Sequence, residues 1–142
     1  MTDLRARYLA DSVATAAPAR LLTLLYDRLL LDLHRAGSAL ETGDRGGAGS
    51  HLAHAQDIVC ELIATLDVSA WEGGPRLMSL YGWLLNELLG AGTSGDAARV
   101  EACRTVVTPL AEAWHQAADA LAGDTRPAAE PVGAASGLLG VA

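Results

Sequence analysis

Four stretches of this chain repeat apolar residues at three- and four-residue steps, and that rhythm leaves little room for anything but packed helices. Between residues 18 and 42, Leu22, Leu25, Leu29, Leu33, Ala36 and Leu40 fall on one face. Residues 49 to 67 repeat the pattern with Leu52, Ala55, Val59, Leu62 and Leu66, and residues 75 to 91 with Leu77, Leu80, Tyr81, Leu84 and Leu88. The last run, 96 to 122, carries Val100, Cys103, Val107, Leu110, Trp114, Ala117 and Leu121, with Asp96 placed to cap it. Four seams joined by short links can be buried only against one another, so the expected fold is all-α, an antiparallel up-down four-helix bundle.

Punctuation supplies the boundaries. Residues 3 to 13 read as a short helix or N-terminal arm ended by the Ala17-Pro18 step, because proline drives its predecessor away from helical angles. Gly43 stops the following helix, Gly46, Gly47 and Gly49 make a flexible connection, and Gly90 to Gly95 break the one before the last. Pro109 lies inside the last run and predicts a kink. The expected organisation is a bundle domain over 1–122, with 1–16 as its arm, followed by a disordered tail over 123–142 rich in Ala, Gly and Pro.

Composition narrows the function. The chain of 142 residues has a formal net charge of -7, and its ten basic residues, all Arg, form no stripe, so a nucleic-acid backbone would be repelled. No signal peptide and no run of 18 apolar residues is present, so neither secretion by a signal peptide nor membrane insertion is expected. Cys60 and Cys103 stand apart without a paired motif, which reads as a reduced, cytoplasmic protein.

One helix is more apolar than a bundle requires. At about 100° per residue, Leu24 and Leu31 project roughly opposite to the seam of the 18–42 helix, while Leu21 and Leu30 widen the stripe and Met78, Leu85 and Leu89 form a lateral strip on another helix. Either the arm, through Leu4, Tyr8, Leu9 and Val13, covers this surplus, or a foreign amphipathic segment docks on it.

Tyr8, Val13, Thr15, Ala16, Pro18, Leu21, Leu25, Tyr26 and Asp27 stand at spacings that resemble the opening of the flagellar export chaperone FliS family. The likeness continues through His54 to Val59, Glu61-Leu62, Leu66-Asp67, Leu80-Tyr81, Leu88 and Ala113-Trp114. Where that family usually has Ser before the proline, Ala17 stands here, so a cap is missing unless Thr15 supplies it. The resemblance implies a non-enzymatic cytoplasmic chaperone that binds the disordered C-terminal segment of flagellin, prevents premature polymerisation and assists type III export, with the export apparatus or a co-chaperone as further partners and no cofactor. Leu4, Tyr8, Val13, Leu21, Leu24, Tyr26, Leu31 and Ile58 are the expected partner-binding residues.

Two other readings use the same residues. His51 and His54 lie three apart on one helix and His115 sits on another, the outline of a metal-binding bundle enzyme, although no Glu-x-x-His pair accompanies them. Asp27, Asp32, Asp57 and Glu61 read as polar-face carboxylates screened by Arg28 and Arg35. A self-associating adaptor, forming a homodimer through the arm or the groove, is the third reading.

Overall fold

The computed structural model describes the backbone of residues 2–124 and the side chains of residues 18–123. It contains four helices, α1 (Thr2–Glu41), α2 (Arg45–Thr65), α3 (Gly74–Ser94) and α4 (Ala97–Asp124). Each packs against its chain neighbours, and α4 returns against α1, closing a ring. Pairs along the seams run in opposite senses. Asp32 meets His54, and Asp27 meets His115 while Gly37 faces Val100. Gly92 lies over Leu52, and Arg99 pairs with Glu87. The all-α bundle expected from the leucine rhythm is therefore what forms.

Helix α1 does not stop at Ala17-Pro18, where the sequence places a boundary; it runs 40 residues with Pro18 inside. A proline there has no N–H for the carbonyl four residues earlier, but Pro18 is exposed, so water can serve that carbonyl, and the alanines around it are the strongest helix formers. With no helix end at this point, there is no N-cap to supply, which accounts for Ala17. At 1.5 Å per residue α1 is about 60 Å long against about 32 Å for the 21 residues of α2. Leu22 is level with Leu66 just beyond the end of α2, so the first turns of α1 continue past the bundle instead of folding back along it.

The other ends show their causes. Gly43 adopts φ +81° after α1, and Gly95 adopts φ +71° after α3, angles at which a side chain would be strained. The glycines expected to be a flexible link instead form the first turn of α2, because the Asp44 carboxylate accepts from the Gly47 amide at 2.9 Å and caps it. Asp96 caps α4 through Ala98 N at 2.9 Å, as expected. Helix α4 continues through the exposed Pro109 and reaches Asp124. The rest of the expected tail, 125–142, lies outside the described residues.

Burial follows the seams with a rotation. Leu29, Leu33 and Ala36, Leu52, Ala55, Val59 and Leu62, Leu77, Tyr81, Leu84 and Leu88, and Val100, Cys103 and Val107 form the core. Leu22, Leu25, Leu40, Leu66, Leu80, Leu110 and Trp114 are only partly buried at its edge, and Ala111, not Leu110, completes the α4 face. In the centre the hydroxyls of Tyr26 and Tyr81 share a hydrogen bond of 2.7 Å, and burial raises the pKa of both. The Trp114 indole N–H, beside the Tyr26 ring at a centroid distance of 6.3 Å, is buried without an acceptor among the described residues.

The loop over 66–73 depends on a glycine. A β-carbon on Gly74 would come within 2.3 Å of the Val68 carbonyl oxygen, a backbone atom that cannot rotate away. Gly74→Ala is therefore expected to cost about 2 kcal/mol or more of stability, read as a lower Tm. Gly82→Ala, at a mid-helix site with nothing within 4 Å, should hold or raise it. Equal Tm values for the two variants would contradict this account of the loop.

The cysteines differ in reactivity. Cys60 is exposed, while Cys103 is buried and its thiol is pushed up to about 12 from 9.0, first by burial and then by the nearby Glu87 charge. A thiol reagent at pH 8 should label one cysteine per native chain and the second only at the rate of unfolding. Because the unfolded thiol ionises near 9 and the folded one near 12, this contribution to stability is intact below pH 9 and declines as pH rises from there to 12. Cys103→Ala should flatten that decline in alkaline unfolding curves.

Candidate binding surface on α1

Helix α1 buries one face and leaves another bare. Leu21, Leu24 and Leu31 are 54%, 59% and 38% exposed, although all three are leucines on a helix whose opposite side is sealed. Steps of three and seven residues set Leu21, Leu24 and Leu31 along one outer line with about two turns between the last two. Exposed single leucines are ordinary, but three in line on the longest helix make a strip of the kind that amphipathic segments cover. Because α1 is unbroken, residues 2–13 extend the helix instead of crossing over its later turns, so in this structure the strip is not shielded by them.

Two recesses lie between α1 and α4, and Leu24 of the strip lines the first of them. One, of about 310 Å³, is lined by Arg20, Thr23, Leu24, Asp27, His115 and Asp119 among others; at its wall His115 Nε2 donates to Asp27 Oδ1 at 2.7 Å. The other, of about 560 Å³, lies farther along the same helices, where Gly37, Ser38, Ala97 and Ala98 replace large side chains. Its rim carries the Glu101–Arg104 pair, with two hydrogen bonds of 3.0 Å, and that pairing lowers the Glu101 pKa and raises that of Arg104. The surface thus offers apolar contact on the crest of α1 and polar contact in the furrow beside it.

The expected partner-binding residues separate into three groups. Leu21, Leu24 and Leu31 are on the surface. Tyr26 and Ile58 are not: they are 0% and 6% exposed and belong to the core, because the seam is rotated toward Tyr26 and because α2 turns Ile58 inward beside Val59. The side chains of Leu4, Tyr8 and Val13 lie outside the described residues.

The acidic residues also need correction. Asp32 is not on a polar face; it is fully buried, with His54 Nδ1 donating to one carboxylate oxygen and Arg28 Nε to the other at 3.3 Å. His54 and Arg28 are each about half exposed, so the pair of donors closes the site from the solvent side. Continuing the steps Leu25, Leu29, then three more would have put Asp32 in the seam, a signal that the choice of Leu33 alone overlooked. His54 is thereby committed to Asp32 and His115 to Asp27, and among the described residues no group of three His, Cys, Asp or Glu side chains is placed to hold a metal ion. No helix among the described residues is long and apolar enough to cross a membrane.

Comparison with known proteins gives the strip its context. The family model for flagellar protein FliS matches residues 1–121. The flagellar secretion chaperone FliS of Salmonella typhimurium is 34% identical over 108 residues, 75% of this chain and 80% of that protein. The flagellar secretion chaperone FliS of Bacillus subtilis is 30% identical over 110 residues, 78% of this chain and 82% of its own length. That of Escherichia coli is 30% identical over 108 residues, covering 75% and 79%.

Proposed function

The chain belongs to the FliS family of flagellar proteins, whose relatives are flagellar secretion chaperones, and from that premise we propose that it binds the C-terminal segment of flagellin in the cytoplasm, keeps the subunit from polymerising early and assists its type III export. The observation that carries this reading is the bare line of Leu21, Leu24 and Leu31 on a helix whose other face is core. A segment that is unstructured when free can fold as an amphipathic helix on such a crest, setting leucine-sized side chains against it at helical spacing. Coupled folding of this kind buries on the order of 1,000 to 3,000 Å² and loses several kcal/mol to ordering, which suits a grip that must later release its client.

Leu4, Tyr8 and Val13, on the same continuous helix, are proposed as further contacts; Tyr26 and Ile58 act from beneath by holding the crest in place. Chemistry is no part of the reading, since it requires only a surface. The export apparatus or a co-chaperone would meet the complex at faces that the client leaves open.

The test is a mixture of the purified chain with flagellin carrying or lacking its last helical segment, run on a sizing column. Co-elution with the intact flagellin alone is expected. Retention of both forms, or of neither, would reject the proposal.

A further inference from the structure

The outer side of α1 has a rhythm of its own. Leu21, Leu24, Arg28, Leu31 and Arg35 follow one another at steps of three, four, three and four residues, and at about 100° per residue all five project within about 40° of the direction opposite the buried Tyr26. Each of the five is exposed. Such spacing is the heptad seam on which a second helix packs at a shallow angle, and here two arginines are set among the leucines.

The seam carries one sign of charge. Between residues 18 and 35 of α1 there are two carboxylates, Asp27 and Asp32, and they project to the two edges of the crest, toward α4 and α2. Both are engaged: His115 donates to Asp27, and His54 donates to the fully buried Asp32. Arg28 turns its Nε to Asp32 but keeps 49% of its side chain exposed, and the Arg35 side chain has no partner among the described residues. The other flanks of the bundle have the opposite character, since α2 exposes Asp57 and Glu61 while α4 exposes Glu112 and Asp119. A chain of net charge -7 thus presents a crest that is apolar and basic.

Those two properties describe the partner. We propose that the crest of α1 selects an acidic amphipathic helix, whose leucine-sized side chains meet Leu21, Leu24 and Leu31 and whose Asp or Glu side chains, seven residues apart, meet Arg28 and Arg35. The inference rests on the reading of the crest as the client's docking site, and adds the sign of charge that the client segment must bring. A guanidinium covered by an apolar or basic helix would lose water without gaining an acceptor, whereas a carboxylate can take two of its N–H groups at once. Charge of this kind decides which helix is accepted more than how tightly it is held. An anionic lipid surface also attracts basic, leucine-bearing helices, but the acidic flanks on α2 and α4 oppose such an approach.

The experiment uses the full chain and two fluorescent three-heptad peptides. Both carry leucine at their core positions except two that lie seven apart, which hold Glu in one peptide and Lys in its twin; anisotropy gives each Kd. At about 50 mM salt the Glu peptide should bind at least about tenfold more tightly, with the ratio shrinking at about 1 M. Arg35→Glu should bring the two affinities together without changing Tm, because the residue is exposed and unpaired; Arg76→Glu, an equal change of net charge on α3, should leave the preference intact. Leu24→Asp with Leu31→Asp should abolish binding of both peptides. Equal affinities in the parent, binding of neither peptide, or a preference that survives Arg35→Glu would overturn the inference and leave the flagellin reading to its own sizing-column test. Sedimentation with phosphatidylglycerol vesicles that Arg35→Glu prevents, in place of discrimination between the peptides, would assign the crest to anionic lipid and overturn it equally.

Discussion

Changing Leu24 and Leu31 together to Asp is expected to weaken flagellin-tail binding about a thousandfold while leaving the bundle folded. Each leucine is over a third exposed, so in the free protein a carboxylate at either site meets water and should shift stability by no more than about 0.5 kcal/mol. In the complex the same carboxylate would be desolvated against apolar side chains. Anchors in such contacts are commonly worth about 2 kcal/mol or more each, and two of them give about 4 kcal/mol, close to three powers of ten in Kd. Titration of a labelled flagellin tail, followed by its gain of helicity, measures the loss. Leu89→Asp, equally exposed but on α3, should cost less than tenfold. If it costs as much as the α1 pair, the crest of α1 is not the principal site; if neither change matters, the apolar strip has nothing to do with the client.

The second large effect concerns the acid inside the bundle. His54→Ala would leave the fully buried Asp32 carboxylate with Arg28 as its one remaining side-chain partner among the described residues, and stability should fall by about 2 to 3 kcal/mol. The value sits below that for a wholly enclosed pair because His54 is half exposed and water can partly replace it. Asp32→Asn removes the charge and keeps the shape, at a cost of about 1 kcal/mol. In that background His54→Ala should cost clearly less, so urea unfolding of the four proteins should give a coupling energy above about 1 kcal/mol. Additive effects would mean that the histidine merely lies next to the acid. This pair also explains why α1 and α2 hold one register: a buried carboxylate tolerates only the sliding position at which both donors reach it.

The bundle was legible because its information is local. A three-four rhythm fixes which side of each helix is apolar, and Gly43, Asp96 and Gly95 mark ends through backbone angles and caps that involve only nearby residues. The exposure of Leu24 and Leu31 was legible for the same reason, since both lie across the helix from the seam, whereas Leu21, read as a flank of the stripe, is exposed as fully as they are. Family membership was also legible, as an ordered set of residues spread over most of the chain.

What only the tertiary structure decided are choices among locally equivalent options. Pro18 reads as a helix start or as an exposed interior position, and α1 takes the second. Tyr26 and Leu25 are adjacent and both apolar; a rotation of a few tens of degrees about the helix axis, set by where Tyr81 places its hydroxyl, sends Tyr26 inward and leaves Leu25 at the edge. Asp32 is polar in any local reading, and becomes core only because His54 and Arg28 arrive to satisfy it. Period along a chain specifies the faces of a helix, whereas the angle at which each face meets its neighbours depends on side chains tens of residues away.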